Sequence, residues 1–358
     1  MAKVKVGIIG CGSIGTSAHI PSYMANPDCE ILYFCDLIYE KAQSQVKKYG
    51  CGKAVTDYFE VLNDPEVDCV SVCTHTDNHT RVSIDAMRAG KHVLSEKPAA
   101  RTYAEALEMQ RVQHETGMTL NIGVVNRFRT TPNRVKEIID AGELGNIYHV
   151  YVAFRAHRSI PGIGGDFTTK AVAGGGVLLD WGIHFFDEVM YCLGDPEPKT
   201  VTGNAYSVLG VDIPGYVFKS MHSRAPKYDG VYDVDDFVTG YIRTEKAPKV
   251  PGPSISFNGA WAQNIGIEEM YIDFIGDKAG IRLNYYGGYT MYSTMNRTLI
   301  EIKPDYDEEN GFQNEINAFI DCVRTGKKLP SHIDTVIITA KLMQAIYDSS
   351  DTNREIVF

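Results

Sequence analysis

Val4-Lys5-Val6-Gly7-Ile8-Ile9-Gly10-Cys11-Gly12-Ser13-Ile14-Gly15 decides the fold of this 358-residue chain. The run to Ile9 reads as a strand, and Gly-x-Gly-x-x-Gly follows it directly. A helix is expected from about Ile14 to Met24, with a break near Pro21, because proline has no amide to donate and clashes with the preceding turn. Alone, such a glycine pattern is a weak signal. Here a strand precedes it, a helix follows, and the next strand, Glu30-Ile31-Leu32-Tyr33-Phe34-Cys35-Asp36, ends in an acid. That context is what a dinucleotide fingerprint requires. Gly10 permits the tight turn, Gly12 lets a pyrophosphate approach the backbone, and Gly15 lets the helix pack on the strand. Ser13 and Ile14 complete the candidate phosphate contacts at the free amides of the helix N-terminus. Asp36 suits an adenosine ribose and repels a 2′-phosphate, and Leu37 and Ile38 stand where an arginine would accommodate that phosphate. NAD is therefore the expected cofactor. Asp36 can also cap a helix from Tyr39 to Lys48, and the two roles are compatible.

Outward from this unit the pattern repeats. Gly50 ends one helix and Asp57 caps a short one, Tyr58 to Leu62. Val67 to Cys73 reads as a strand, nearly all apolar or small, as a sheet covered on both faces demands. It ends in Thr74-His75-Thr76-Asp77-Asn78-His79, where a nicotinamide ribose is expected. His75 and His79 read as loop histidines in ordinary hydrogen bonds, because no thiolate or carboxylate cluster accompanies them, and no metal is expected. A helix from about Thr80 to Ala89 stops at Gly90. Lys91-His92-Val93-Leu94-Ser95-Glu96-Lys97-Pro98 follows. Val93-Leu94 is a buried strand, and Pro98 stops it because proline cannot donate to the ladder. Lys97, ahead of the proline, is pushed into extended geometry at the strand end. A lone lysine there would read as a solvated loop residue. Beside a dinucleotide fold, its charge can hydrogen-bond a substrate hydroxyl and stabilise developing alkoxide. A helix from Tyr103 to Glu115 and a strand from Leu120 to Val125 complete a doubly wound parallel sheet. Right-handed crossovers bring the strand ends to one edge, gathering Gly12, Asp36, Thr74 and Lys97.

Length suggests two domains, 1–125 and 126–358. With 22% charged and 44% apolar residues, the chain has the composition of an ordinary globular protein. A net charge of −10 argues against nucleic acid as a partner. No apolar run approaches the ~20 residues that span a bilayer, and the N-terminus shows no signal-peptide apolar region. The eight cysteines form no CxxC pair and several lie in apolar strands; a cytoplasmic protein with reduced core thiols is the expectation.

From Asn126 the texture changes. A helix from about Asn133 to Ala141 precedes strand-like segments: Ile147 to Arg155, Val201 to Leu209, Phe237 to Arg243, Ser254 to Trp261, Glu269 to Gly276, Gly280 to Tyr285 and Thr298 to Lys303. They imply an α+β domain built on a large, mostly antiparallel sheet, covered by helices from about Gln313 to Arg324 and Asp334 to Asp348. Gly174-Gly175-Gly176-Val177-Leu178-Leu179-Asp180-Trp181-Gly182-Ile183-His184-Phe185-Phe186-Asp187 reads as a buried helix. Asp180 and His184, at i and i+4, share one face of it. Buried titratable groups are costly unless they pair or do chemistry. His184 is a candidate general base, and Asp180 can orient it or bind a neighbouring hydroxyl. On spacing alone, a structural hydrogen-bonded pair is the alternative.

Gly10-x-Gly12-x-x-Gly15, Asp36, Gly90-Lys91-His92-Val93 leading to Glu96-Lys97-Pro98, Arg127-Phe128, and Gly175-Gly176 before Asp180-x-x-x-His184 together resemble the glucose–fructose oxidoreductase, inositol dehydrogenase and rhizopine catabolism (Gfo/Idh/MocA) family, nearly end to end. The resemblance implies Lys97, Asp180 and His184 as a catalytic trio and a homo-oligomer formed through the C-terminal sheet. The candidate cofactor contacts then comprise Gly10, Gly12, Ser13, Ile14, Gly15, Asp36, Thr74, His75, His79, Glu96, Lys97 and Arg127. Arg155 and His157 join Lys97, Asp180 and His184 as candidate substrate contacts. Many members carry Thr-Pro-Asn where this chain has Thr74-His75-Thr76, although His79 still matches. The expected activity is NAD-dependent oxidation of a secondary hydroxyl on a sugar or glycoside. Inositol oxidation is the alternative, and a nucleotide-binding regulatory protein without catalysis is the reading from another class; the presence of the trio counts against it. Two stretches favour a glycoside: the glycine-rich loop His157 to Asp166, and the long connection Gly210 to Asp235 with Tyr216, Phe218, His222, Arg224, Tyr228 and Tyr232. Aromatic residues among basic ones can stack on a sugar and hydrogen-bond its rim; packing against a neighbouring subunit is the other reading of that connection.

Overall fold

A computed structural model describes residues 2–219 and 226–358; His222 and Arg224 lie outside the described residues. In chain order, β1 (Val4–Ile9) leads to a π-helical turn, Gly15–His19, and α1 (Ile20–Ala25). Then come β2 (Cys29–Cys35), α2 (Tyr39–Tyr49), β3 (Lys53–Val55), α3 (Tyr58–Leu62), β4 (Cys69–Val72), α4 (Thr76–Arg88), β5 (His92–Glu96), α5 (Tyr103–Thr116) and β6 (Leu120–Gly123). A 3-10 turn, Val125–Phe128, precedes α6 (Thr130–Asp140), β7 (Ile147–Arg155), α7 (Lys170–Ala173), a second π turn at Leu178–Gly182, and α8 (Ile183–Leu193). Strands β8 (Glu197–Tyr206), β9 (Phe237–Ala247), β10 (Val250–Ala260), β11 (Glu269–Gly276), β12 (Gly280–Asn284), β13 (Tyr289–Met295) and β14 (Thr298–Ile302) follow. The chain closes with α9 (Gly311–Thr325), α10 (Ile333–Thr352) and β15 (Ile356–Val357).

The chain divides into two compact units, Met1–Arg129 with Glu309–Ile337, and Thr130–Glu308 with Ile338–Phe358. The boundary expected at 125/126 falls at the start of the 3-10 turn. Helix α9 and the start of α10, expected with the second half, belong to the first unit.

In the first unit six parallel strands run in the order β3-β2-β1-β4-β5-β6. β4 and β6 are buried at every residue, as strands covered on both faces must be. The winding reverses between β1 and β4, where Ile9 pairs with Val72, and such a switch point is where open α/β sheets bind ligands. Two local expectations shift. The glycine turn opens into a π turn, and Pro21 falls in the first turn of α1, where its missing amide costs no helical bond. Helix α4 begins at Thr76, about four residues before the expected start, so His79 is helical and buried, not a loop residue.

The second unit is a nine-stranded sheet ordered β14-β13-β12-β11-β7-β10-β9-β8-β15, antiparallel except where β7 meets β10. β7 and β11 have the bounds read from the sequence; β13 and the short β15 are additions. Inward-facing Val150, Val152, Phe154, Ile255, Phe257, Ile272 and Phe274 pack with Phe185 and Phe186 of α8 and Leu342 and Ile346 of α10. The Phe154 ring stacks on Phe185 at 5.1 Å. A Cβ at residue 259 would meet that ring at 1.9 Å, so the neighbouring strand carries Gly259.

Candidate functional site

The glycine turn has the form its sequence implies. Gly10 holds φ +104°, and a Cβ there would meet the Cys73 carbonyl oxygen at 2.4 Å. A Cβ on Gly15 would meet the Gly10 carbonyl oxygen at 2.5 Å, so the helix is drawn tight against the turn. At Gly12 an added Cβ meets nothing within 4 Å. The turn is closed against the protein at Gly10 and Gly15 and open at Gly12, the arrangement that admits a pyrophosphate.

Asp36 is fixed from two sides: Oδ2 accepts the Cys11 amide at 3.0 Å and Oδ1 accepts the Ile38 amide at 2.9 Å. The carboxylate therefore stands beside the glycine turn with lone pairs remaining for ribose hydroxyls. These features fit NAD, with the turn amides at its phosphates and Asp36 at its adenosine ribose. Among the described residues no cluster of three His, Cys, Asp or Glu side chains is arranged to hold a metal.

Thr74 and Lys97 stand at the same sheet edge. His79, 1% exposed, ties their turns together: Nδ1 lies 2.8 Å from the Pro98 carbonyl oxygen and Nε2 lies 3.1 Å from that of Thr74. Burial lowers its pKa, and the neutral ring donates to one carbonyl at a time. His75 precedes α4 as its N-cap residue and is exposed. The Lys97–Pro98 peptide is cis. Lys97 is half-buried, and its amide donates to Glu96 Oε2 at 3.1 Å. Glu96 Oε1 meets His19 Nε2 at 2.7 Å, while His19 Nδ1 meets Ser71 Oγ at 2.7 Å. Burial alone would neutralise both groups. Cys73 and Glu96 nevertheless hold His19 well above its usual range, and His19 and Lys97 hold Glu96 below its own. The pair is an imidazolium and a carboxylate. The Glu96 side chain is thus turned inward beneath the candidate site. Arg127, 2% exposed, donates to the Pro330 carbonyl at 2.9 Å.

In the second unit, Asp180 lies in the π turn and His184 in the first turn of α8. Leu178, Leu179, Gly182, Ile183, Phe185 and Phe186 are buried around them, whereas Asp180, Trp181 and His184 stay half-buried. One face of this helix is left accessible, and the two titratable groups are on it. The expected continuous helix is locally underwound, and π turns recur at functional sites. Its start is fixed by Asp235. One carboxylate oxygen accepts the Gly176 amide at 2.8 Å, the other the Leu178 amide at 2.9 Å, and the Asp235 carbonyl accepts the Val177 amide at 3.0 Å. The Tyr347 hydroxyl adds a third bond to the carboxylate. A Cβ on Gly176 would strike the Asp235 carbonyl oxygen at 1.9 Å and one on Gly175 the Tyr347 hydroxyl at 2.1 Å. The double glycine therefore admits an anion and a hydroxyl at the head of the helix.

Arg155 is not brought to this face. It forms a close ion pair with Glu269 and, with Tyr151 and Tyr271, lines a shallow cavity of about 220 Å³ on β7, β10 and β11; its neighbour Phe154 points the other way, into the core against α8. His157 opens the glycine-rich loop, and its carbonyl accepts the Gln263 amide at 2.8 Å. Described residues of the two long stretches meet: the Lys219 amide bonds the Arg158 carbonyl and the Lys227 amide the Ile163 carbonyl, while Thr168 Oγ1, just past the glycine-rich loop, bonds the Val231 carbonyl. Tyr216 is buried under the Arg158 guanidinium, and Tyr228 is exposed. The sequence reading missed His19, Asp235 and Tyr347. A histidine four residues past Gly15 and an Asp235-Asp236 pair just ahead of a strand were the available signals.

Residues 4–124 match the Gfo/Idh/MocA oxidoreductase family in its NAD-binding Rossmann fold, and residues 133–282 match the family's C-terminal domain. D-glucoside 3-dehydrogenase of Escherichia coli (strain K12) is 29% identical over 99% of this chain and 97% of its own length. scyllo-Inositol 2-dehydrogenase (NAD(+)) of Bacillus subtilis (strain 168) is 28% identical over 94% of this chain and 91% of its own. Among solved structures, aldose-aldose oxidoreductase from Caulobacter crescentus, complexed with glycerol, superposes with a TM-score of 0.82 at 22% identity, covering 99% of this chain and 100% of that one. At that identity the likeness speaks for the fold alone.

Proposed function

Since the chain belongs to the Gfo/Idh/MocA family of NAD-binding oxidoreductases, we propose that it oxidises a secondary ring hydroxyl, at C3, of a pyranose or glycoside to a keto-sugar. The observation that carries the reading is the half-buried pair Asp180 and His184 on an otherwise buried helix whose N-terminus is clamped by Asp235. His184 takes the hydroxyl proton as general base. Asp180 orients His184 or holds an adjacent hydroxyl. Lys97, fixed in its turn through Glu96, stabilises the alkoxide as the O–H bond breaks. As C–O becomes C=O, the carbinol hydrogen leaves as hydride. NAD, when bound, supplies the acceptor for that hydride. Gly10, Gly12, Ser13, Ile14, Gly15 and Asp36 would hold the cofactor, with Thr74, His75, His79 and Arg127 shaping the nicotinamide end.

Two observations support a glycoside over a bare cyclitol. The D-glucoside 3-dehydrogenase matches along nearly the whole chain, and described residues Lys219 and Lys227 of the long connection hydrogen-bond the glycine-rich loop at Arg158 and Ile163, in the unit that carries His184. Oxidation of inositol is the second reading, favoured by the similar match to the scyllo-inositol enzyme. The test is NAD reduction with aryl glucosides, free glucose and myo-inositol, with products identified by mass and NMR. Preference for glycosides with a 3-keto product is expected, and strong preference for myo-inositol would overturn the glycoside reading. The same preparation, run through sizing with light scattering, tests the homo-oligomer.

A further inference from the structure

Beneath the Lys97 turn lies an ionisable group that the oxidation does not use. Glu315 on α9 is fully buried, and neither carboxylate oxygen meets a hydrogen-bond donor of the protein. Helix α9 packs against β1, the first π turn, α1 and the 3-10 turn. The charges that reach the Glu315 carboxyl are those of Glu96 and His19. Other titratable groups on those elements are engaged elsewhere or are neutral: Lys5 pairs with Glu66, Arg127 binds the Pro330 carbonyl, and Tyr23 is a buried phenol. On α9 itself Arg324 pairs with Asp28 and Asp321 is exposed. Lys97 acts on the cluster through Glu96, and the buried His79 ring on the same side is neutral.

Charge balance then constrains the cluster. His19 and Glu96 already offset one another across 2.7 Å. A second carboxylate here would have neither a counter-charge nor a donor, and an unpaired buried charge is among the costliest things a fold can hold. Burial, reinforced by the Glu96 charge, pushes the Glu315 carboxyl up to about 8. At neutral pH it is a carboxylic acid. A glutamine or an apolar residue would fill the same space without this sensitivity.

We propose that Glu315 is a positioning residue of the cofactor edge: while protonated it leaves the Glu96 carboxylate to His19 and to the Lys97 amide, and when ionised it repels Glu96 and disturbs the Lys97 turn. The proposal rests on the assignment of Lys97 to the cofactor edge and not on the identity of the sugar. No covalent step is involved; one proton leaves Glu315 to solvent and returns.

The test uses the full-length protein and NADH, without any sugar. Difference infrared spectroscopy between pH 6 and 9.5 should show a protonated-carboxyl band that bleaches with a midpoint near pH 8. Labelling glutamate side chains with carbon-13 should shift that band, which separates it from the buried Asp236. Absence of a glutamate band overturns the proposal, even if E315Q does not fold. NADH affinity, read by fluorescence, should weaken at least fivefold in the wild type from pH 7 to 9.5 and less than twofold in E315Q. Parallel weakening in both proteins would overturn the positioning role. A failed sugar assay would remove the glycoside reading and leave both of these measurements intact.

Discussion

The Tyr347 hydroxyl donates to Asp235 Oδ1 at 2.7 Å, joining α10 to the segment that heads the helix of Asp180 and His184. Asp235 is 6% exposed and receives two backbone amides on top of this bond. Each of these three donors matters, because a buried polar group that loses its partner bears the full cost of desolvation.

Tyr347→Phe is accordingly expected to cost about 1.5–3 kcal/mol in chemical denaturation, the range for a bond to a charged group. Asp235→Ala should cost more and lower kcat well beyond its effect on NADH affinity, because it frees the helix that carries the base. Equal loss in both parameters would mean that Asp235 serves the fold at large.

Lys97→Met should abolish most turnover while NAD binding is largely kept. Removing a charge that stabilises developing alkoxide costs about 3 kcal/mol or more, a hundredfold or greater in kcat. Near-normal turnover of the variant on the true substrate removes Lys97 from the chemistry. His184→Ala should lose rate most at neutral pH, where a base is needed.

Asp36 should confer a clear preference for NAD over NADP in kcat/KM at matched substrate. Its carboxylate is pinned by the Cys11 and Ile38 amides and cannot swing away from a 2′-phosphate. Asp36→Ser should narrow the gap; a wild-type preference for NADP would contradict the assignment.

Stability should fall as pH rises from about 5 to about 8, through Glu315. Its carboxyl ionises near 4.5 when unfolded and near 8 when folded, so between those values the folded state binds the extra proton. Glu315→Gln removes this dependence. Its denaturation midpoint should gain on the wild type across that window, by an amount on the order of a few kcal/mol at pH 8. Parallel pH profiles for the two proteins would show that Glu315 titrates normally.

The oxidation itself should be read against added substrate classes. With an aryl glucoside, replacement of exposed Tyr228 by Ala tests whether the 210–235 segment reaches the aglycone: a raised KM with kcat held is expected. An unchanged KM leaves the substrate class standing and removes Tyr228 from it.

Sequence by itself determined the parallel sheet of the first unit and its ligand edge, but not that α9 and the start of α10 pack into that unit. Parallel strands buried on both faces are continuous apolar runs, glycines at tight turns have no substitute, and right-handed crossovers leave one edge for Gly12, Thr74 and Lys97. The spacing of Asp180 and His184 likewise gave a shared face in advance, because helical periodicity is local. What tertiary structure decided was where side chains spend their charge. Glu96 reads as a cofactor contact and is committed to His19, whose partner lies 77 residues away. Arg155 reads as a substrate contact and pairs with Glu269 across β7 and β11, an outcome of strand register that no local pattern encodes. Asp235 and Tyr347, 112 residues apart, meet at a helix start. Glu315 looks like any helical glutamate until the burial of α9 removes it from water. Ionisation depends on solvent and neighbours in space, and only the folded chain supplies both.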